Sequence, residues 1–393
     1  MDTATTSLPP AFSLFAGGPL FRVLRRTGLS DDALHLLRRR IVCLVLVSWL
    51  PLLVLSSAQG QALPGNVAIP FLDDIETQAR FLVVLPLLLS AELLAHQRVG
   101  VSIQQFTARG LVPPAAYAQF ERAMASALRL RNSLGIELSL LVLVVLAGAW
   151  VASMRHGDLE STSWQGGAGS AASPAGMWLH YVAHPLFQFL VLRWYFRLLV
   201  WGRFLWNVSR IDLVLVPTHP DGAGGLGFLP LTITGYAALI VAHGVMLSAR
   251  IAQLILYGDA ALTDFKAEIA LMTGLVMLVF VGPMLLFVPQ LARAQRRGLT
   301  EYGLLAMHYV RTFDLKWLRG QAPAGEPLVG SADIQSLADL AGSYDVIRGM
   351  RIWLVSRHTI IALLVYTLAP VLPLLLTMMP LDELLKSLLG LLL

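Results

Sequence analysis

The chain has 393 residues, 56% hydrophobic and only 13% charged, with a mean hydropathy of +0.68. So little charge excludes an ordinary soluble domain, where about a quarter of residues are charged. Apolar runs that are continuous rather than alternating exclude a β-barrel. The formal charge of +5 is scattered between the apolar runs, with no basic face interleaved with stacking aromatics. It therefore argues against nucleic acid and for arginines on the cytoplasmic side of a membrane. The single cysteine, Cys43, rules out internal disulfides and multi-cysteine zinc sites.

In chain order, residues 1–20 show little periodicity. Ser30-Asp31-Asp32 then reads as a capped helix start, with Arg38, Arg39 and Arg40 at the end where they complement the helix dipole. The first apolar run follows these arginines, too late for a usual signal peptide. Despite a small-residue pattern at Ser56-Ser57-Ala58, we read it as an uncleaved span over 41–57. Further spans are expected over 81–96, 134–153, 177–201, 229–257, 269–288 and 359–379. Pro113-Pro114 splits the segment between the second and third spans into two amphipathic pieces, and the Gly/Ser-rich stretch from Gln165 reads as flexible linker.

Segments before span 1, between spans 2 and 3 and after span 6 are arginine-rich, and the alternate loops are not. This predicts seven spans with the N-terminus in the cytoplasm and the C-terminus outside. Trp150, Trp178, Tyr181 and Tyr257 would form the outer aromatic belt. The expected organisation is an all-α polytopic membrane protein. It has a cytoplasmic segment over 1–40, six spans within 41–288, a cytoplasmic helical segment over 289–358, a seventh span over 359–379 and an amphipathic tail over 380–393 lying in the interface. In the cytoplasmic segment, one helix is expected around 299–318 and a second from Ser331 and Asp333.

The stretch from Met177 to Phe228 gathers the most costly residues. Arg193 and Arg197 lie one helical turn apart on one face of span 4, with Arg193 about 24 Å from Met177. Snorkelling to the interface explains part of this. The sharper expectation is that Arg193 pairs with Glu92 or Glu137, which lie at comparable depth. His180 and His184 share a face at metal-ligand spacing, with His243 of span 5 as a third ligand. No carboxylate accompanies them, so polar contacts between helices are favoured, and neither metal nor cofactor is expected. Arg250 lies two turns beyond His243 and is expected to face inward, toward Glu268 or a pathway.

Next comes the loop THPDGAGGLGF. His219-Pro220-Asp221-Gly222 is strong turn chemistry. Gly224, Gly225 and Gly227 strip the backbone, so that its N–H groups can form an anion-binding nest for a phosphate or an anionic lipid headgroup. A tight structural turn is the leading reading of the loop, ligand or gate contact the second, and acid–base chemistry by His219 and Asp221 the third. The glycine spacing is not that of a nucleotide-binding loop.

PTHPDGAGGLGFL and PLVGSADIQSLADLAGSYDVIRGMR resemble a family of bacterial polytopic membrane proteins without an assigned activity. The resemblance implies a bacterial inner-membrane setting. The length and threading also resemble insect odorant-receptor-type channels, as topology alone.

The leading functional expectation is a channel, transporter or receptor-like protein for an anion or small polar solute, lined by Glu92, Arg193, Arg197, His243 and Arg250. Two others are carried beside it: a lipid-acting enzyme using His219 and Asp221, and a structural or sensory protein docking a partner through its cytoplasmic helices. The expected partners are the bilayer, an anionic lipid or small solute, and further copies of the chain.

Overall fold

The computed structural model describes residues 17–19, 28, 36–155, 163–166, 172–258 and 260–378, without the side chains of 149–155. The helix start at Ser30-Asp31-Asp32, Trp150 of the aromatic belt and the tail over 380–393 lie outside the described residues or side chains. Among the described residues the protein is all-helical, with no strand.

The first apolar run is α1 (Leu37–Ser48) and α2 (Leu50–Ala58), separated at Trp49 where Pro51 opens the second piece. Asp74 caps α3 (Ile75–Gln78), its carboxylate accepting from Thr77 N at 3.0 Å. α3 runs through a π-helical turn, Ala79–Val84, into α4 (Leu85–Ala108). Beyond Pro113 and Pro114 come α5 (Tyr117–Arg131) and α6 (Leu134–Arg155).

α7 (Pro174–Trp178), a second π-helical turn (Leu179–Ala183) and α8 (His184–Val208) form the next rod. It is followed by the short α9 (Leu231–Thr234), α10 (Ala237–Tyr257) and α11 (Lys266–Leu285). Then come α12 (Val288–Phe313), α13 (Ala332–Arg348) and α14 (Arg357–Leu368).

Four of these rods are long and apolar enough to cross a membrane: Leu37–Ala58, Ile75–Ala108, Ala237–Tyr257 and Leu262–Leu285. A fifth arises if the pair Pro114–Arg131 and Leu134–Gly148, bent by 43°, is one span. The expected spans 4 and 7 are not among them. The rod through α8 carries Arg193, Arg197 and Arg203, and α14 stops after 12 residues before Pro370. α8 buries Phe187, Leu190, Trp194, Trp201 and Phe204 among its neighbours.

Several boundaries differ from the expectation for local reasons. The helix of span 5 begins at Ala237, because the backbone from Leu226 to Tyr236 is turned by successive i→i+3 bonds. α12 begins at Val288 rather than near Leu299, since Pro289 sits in its first turn where a missing N–H costs nothing. The Gly/Ser-rich stretch is pinned where it is described. Trp164 is fully buried edge-on against Phe71 at 5.0 Å and donates to Asp74 Oδ2 at 2.9 Å, while Ser173 Oγ donates to Trp164 O at 2.7 Å.

Both π-helical turns stand just before a proline, Pro86 and Pro185. A proline lacks the N–H and its ring crowds the carbonyl one turn back, and the wider turn accommodates both. At Gly244, α10 crosses α14 so closely that a β-carbon would lie 2.5 Å from Thr367 O. Gly244→Ala is expected to lower stability by about 1–3 kcal/mol, seen as a fall in the thermal midpoint in detergent. An unchanged midpoint would show that α14 is free to move away.

Candidate functional site

α4 and α8 run side by side and carry two polar centres. At one end, Arg80 of the first π-helical turn bonds both Glu76 and His184. Arg80, His180, His184, Gln188 and Pro185 line a cavity of about 220 Å³, which Phe187 and Met246 close on the apolar side. The two π-helical turns supply Arg80 and His180 to this cavity, a placement common at functional sites. Arg80 was not visible as a site residue from the sequence, where it reads as one end of an i,i+4 pair with Glu76 at a span boundary.

The second centre lies twelve residues further along α4, about 18 Å at 1.5 Å per residue. Glu92 is buried and receives three arginines: Arg40 of α1, Arg197 Nη1 at 2.6 Å and Arg193 Nη1 at 3.4 Å. Arg193 Nε also lies 3.4 Å from Glu137 Oε1. The two pairings expected for Arg193 are thus both present. Gly17 O accepts from Arg193 Nη2 at 3.5 Å, and Gly18, at φ +97°, packs against Glu137, where a β-carbon would lie 2.9 Å from Oε1. Among the described residues Arg40, Arg193 and Arg197 bond to Glu92 and Glu137, and the Arg40 Nε–H has no acceptor there.

An apolar septum separates the centres. Phe81 meets Phe187 edge-on at 6.2 Å, and Trp194 donates to Leu88 O at 3.0 Å.

The remaining candidates sit apart. His243 is committed on both nitrogens, Nδ1 to Leu239 O at 2.8 Å and Nε2 to Tyr195 OH at 2.6 Å. It does not join His180 and His184, and no group of three metal donors occurs among the described residues. Arg250 corrects the inward expectation: it is exposed, as is Glu268. α10 packs through Leu239, Ile240, Ala242, Gly244, Ala249 and Ile251, and that choice turns Arg250 outward. Its long stem suits snorkelling to the interface.

The glycine loop closes on itself. Asp221 Oδ1 accepts from Ala223 N at 2.8 Å and Gly225 N at 3.1 Å, and Oδ2 accepts from Gly227 N at 2.9 Å. The nest expected for an anion thus holds the chain's own carboxylate. Burial alone would raise the pKa of Asp221. The N–H bonds from Ala223, Gly227 and Gly225, with His219 beside it, outweigh burial and hold the pKa below the usual aspartate value.

His219 Nδ1 lies 3.0 Å from Asp221 Oδ1 and accepts from Asp221 N at 3.2 Å, so both side chains take part in the loop's own bonding. Gly222 and Gly224 adopt φ +60° and +62°, which only glycine takes without strain. Arg109 donates to Gly225 O at 3.1 Å and stacks on Phe228 at 5.1 Å, and Arg351 donates to Asp221 O at 2.8 Å. Neither arginine was foreseen. Both lie over 100 residues from the loop, and only tertiary packing brings them there.

Together these features define a multi-pass helical membrane protein with a buried charge cluster in its core. Comparison with protein families, curated proteins and solved structures returns no match.

Proposed function

We propose that the protein is a transporter, channel or receptor-like protein for a small anion or polar solute. The observation that carries this is the 220 Å³ cavity walled by Arg80, His180, His184 and Gln188. A cationic and hydrogen-bonding wall inside apolar helices is costly, and such residues mark ligand paths. The buried cluster at Glu92, beyond the Phe81–Phe187–Trp194 septum, supplies a second polar station on the same two helices, as a closed pathway would require. In this reading the chain threads seven times with its N-terminus inside, in a bacterial inner membrane. The Arg80 cavity then faces outward, and α8 is a span shielded by its neighbours.

Purified protein in liposomes should take up or bind a member of a panel of chloride, nitrate, bicarbonate and short carboxylates. Arg80→Gln should weaken that by at least about tenfold, the value of one charge-assisted hydrogen bond. Absence of flux and of ligand-induced thermal stabilisation across the panel would sink the proposal.

The docking alternative has its own support. The hairpin of α12 and α13 exposes Leu304, Leu305 and Leu318, and Val329 at its tip is 88% exposed. Co-purification that is lost on Leu318→Ser and Val329→Ser would favour it.

A further inference from the structure

The three consecutive arginines at the start of α1 divide between two tasks. Arg40 turns inward onto Glu92. Arg38 and Arg39 are exposed, and neither takes part in an ion pair among the described residues. They stand at the head of an open groove of about 740 Å³ along α1, whose wall beyond them is apolar. Two rows at i, i+4 spacing form that wall: Arg38, Val42 and Leu46, and beside them Arg39, Cys43, Val47 and Pro51. The rod that carries them, Leu37–Ala58, is long and apolar enough to cross a membrane.

The far end of the groove is built by a proline. In an unbroken helix Val47 O would accept from the N–H of residue 51, which Pro51 lacks. The indole of Trp178 takes its place, Nε1 donating to Val47 O at 3.2 Å, and so closes the groove. Pro51 lies twelve residues beyond Arg39, a rise of about 18 Å. This is close to the roughly 15 Å of hydrocarbon in one leaflet. Guanidinium groups at one end and a bare apolar wall beyond them match a phosphate and an acyl chain. A second copy of the chain fits worse. Packed parallel through this face, it would set the arginines of both copies side by side at one depth.

We infer that this groove seats one anionic diacyl phospholipid. Its phosphate lies on Arg38 and Arg39, and one acyl chain runs past Val42, Cys43 and Leu46 to the indole of Trp178. Phosphatidylcholine can fill the same apolar wall, but its own ammonium offsets the attraction to the arginines, so the headgroup's net charge decides occupancy. The site shares no residue with the Arg80 cavity.

The test is native mass spectrometry of the full chain from nanodiscs of phosphatidylcholine with or without phosphatidylglycerol. One phosphatidylglycerol per chain is expected to be retained over phosphatidylcholine by at least about tenfold, the value of two arginines at a charged headgroup. Arg38→Gln/Arg39→Gln should remove that preference and leave the thermal midpoint in phosphatidylcholine unchanged, since both side chains are exposed and unpaired. Cys43, the one thiol of the chain, reports on the groove itself in the unmodified protein. Its alkylation by N-ethylmaleimide should slow several-fold when phosphatidylglycerol is present, and the double variant should lose this protection. Equal retention of the two lipids would overturn the inference, as would a preference that survives the double variant. Retention without protection of Cys43 would also overturn it, because the chain would then lie outside the groove. Lipid-free dimers with Cys43 protected would assign the groove to a second copy instead.

Discussion

Replacing Glu92 by alanine is expected to be the most damaging single change, removing about 3–5 kcal/mol of stability. Glu92 is the shared acceptor of Arg40, Arg193 and Arg197. Deleting it leaves three guanidiniums in a dry core, with Glu137 beside Arg193 among the described residues. Glu92→Gln keeps the shape but not the charge and should be nearly as severe. The double change Glu92→Gln with Arg197→Met should cost less than the sum of the singles, because each removes a charge that the other strands. Recovery of monodisperse protein and the thermal midpoint in detergent report this. A Glu92→Ala protein with the wild-type midpoint would show that these charges are hydrated rather than mutually dependent.

The second large effect is expected at Asp221. Asp221→Ala takes away the acceptor of three backbone N–H groups, those of Ala223, Gly225 and Gly227. The expected loss is about 2–4 kcal/mol, since each orphaned donor costs roughly 1–3 kcal/mol when buried and these are partly exposed. The damage should extend beyond the loop, because Arg351 N donates to Gly222 O at 2.8 Å and Val216 N to Gly224 O at 3.2 Å.

The effect is also pH-dependent. The folded carboxyl titrates below its unfolded value, which is about 3.9. Its contribution is complete above that value and is lost as the pH falls through the folded pKa. Asp221→Asn should therefore be destabilised near neutrality and lose part of the wild type's acid sensitivity below about pH 4. An acid profile identical to wild type would place the titrating group elsewhere.

These two sites also show what local patterning can and cannot reveal. Depth counting along spans set Glu92, Glu137 and Arg193 at one level, and the structure brings them into one cluster. Arg40 was not foreseen there, since the last of three consecutive arginines before a span reads as an interfacial anchor. His219-Pro220-Asp221-Gly222 declares a turn by composition, yet that Asp221 itself fills the glycine nest depends on the loop's three-dimensional closure. Arg250 was misplaced because periodicity gives a face but not its partner, and packing at Gly244 decided which face of α10 is buried. Length and composition alone do not mark α8 and α14 as spans, because α8 carries three arginines among its neighbouring helices and α14 is cut short by proline.

The pairing of α4 with α8 has a consequence for control. The Arg80–His184 contact and the Glu92–Arg193–Arg197 cluster are two locks on the same pair of rods. In the proposed reading, a solute that drew Arg80 away from His184 and thereby strained the Glu92 cluster would, by linkage, be felt equally at both ends of the helix pair. A change in ligand affinity at the Arg80 cavity on Glu92→Gln is the test of that coupling.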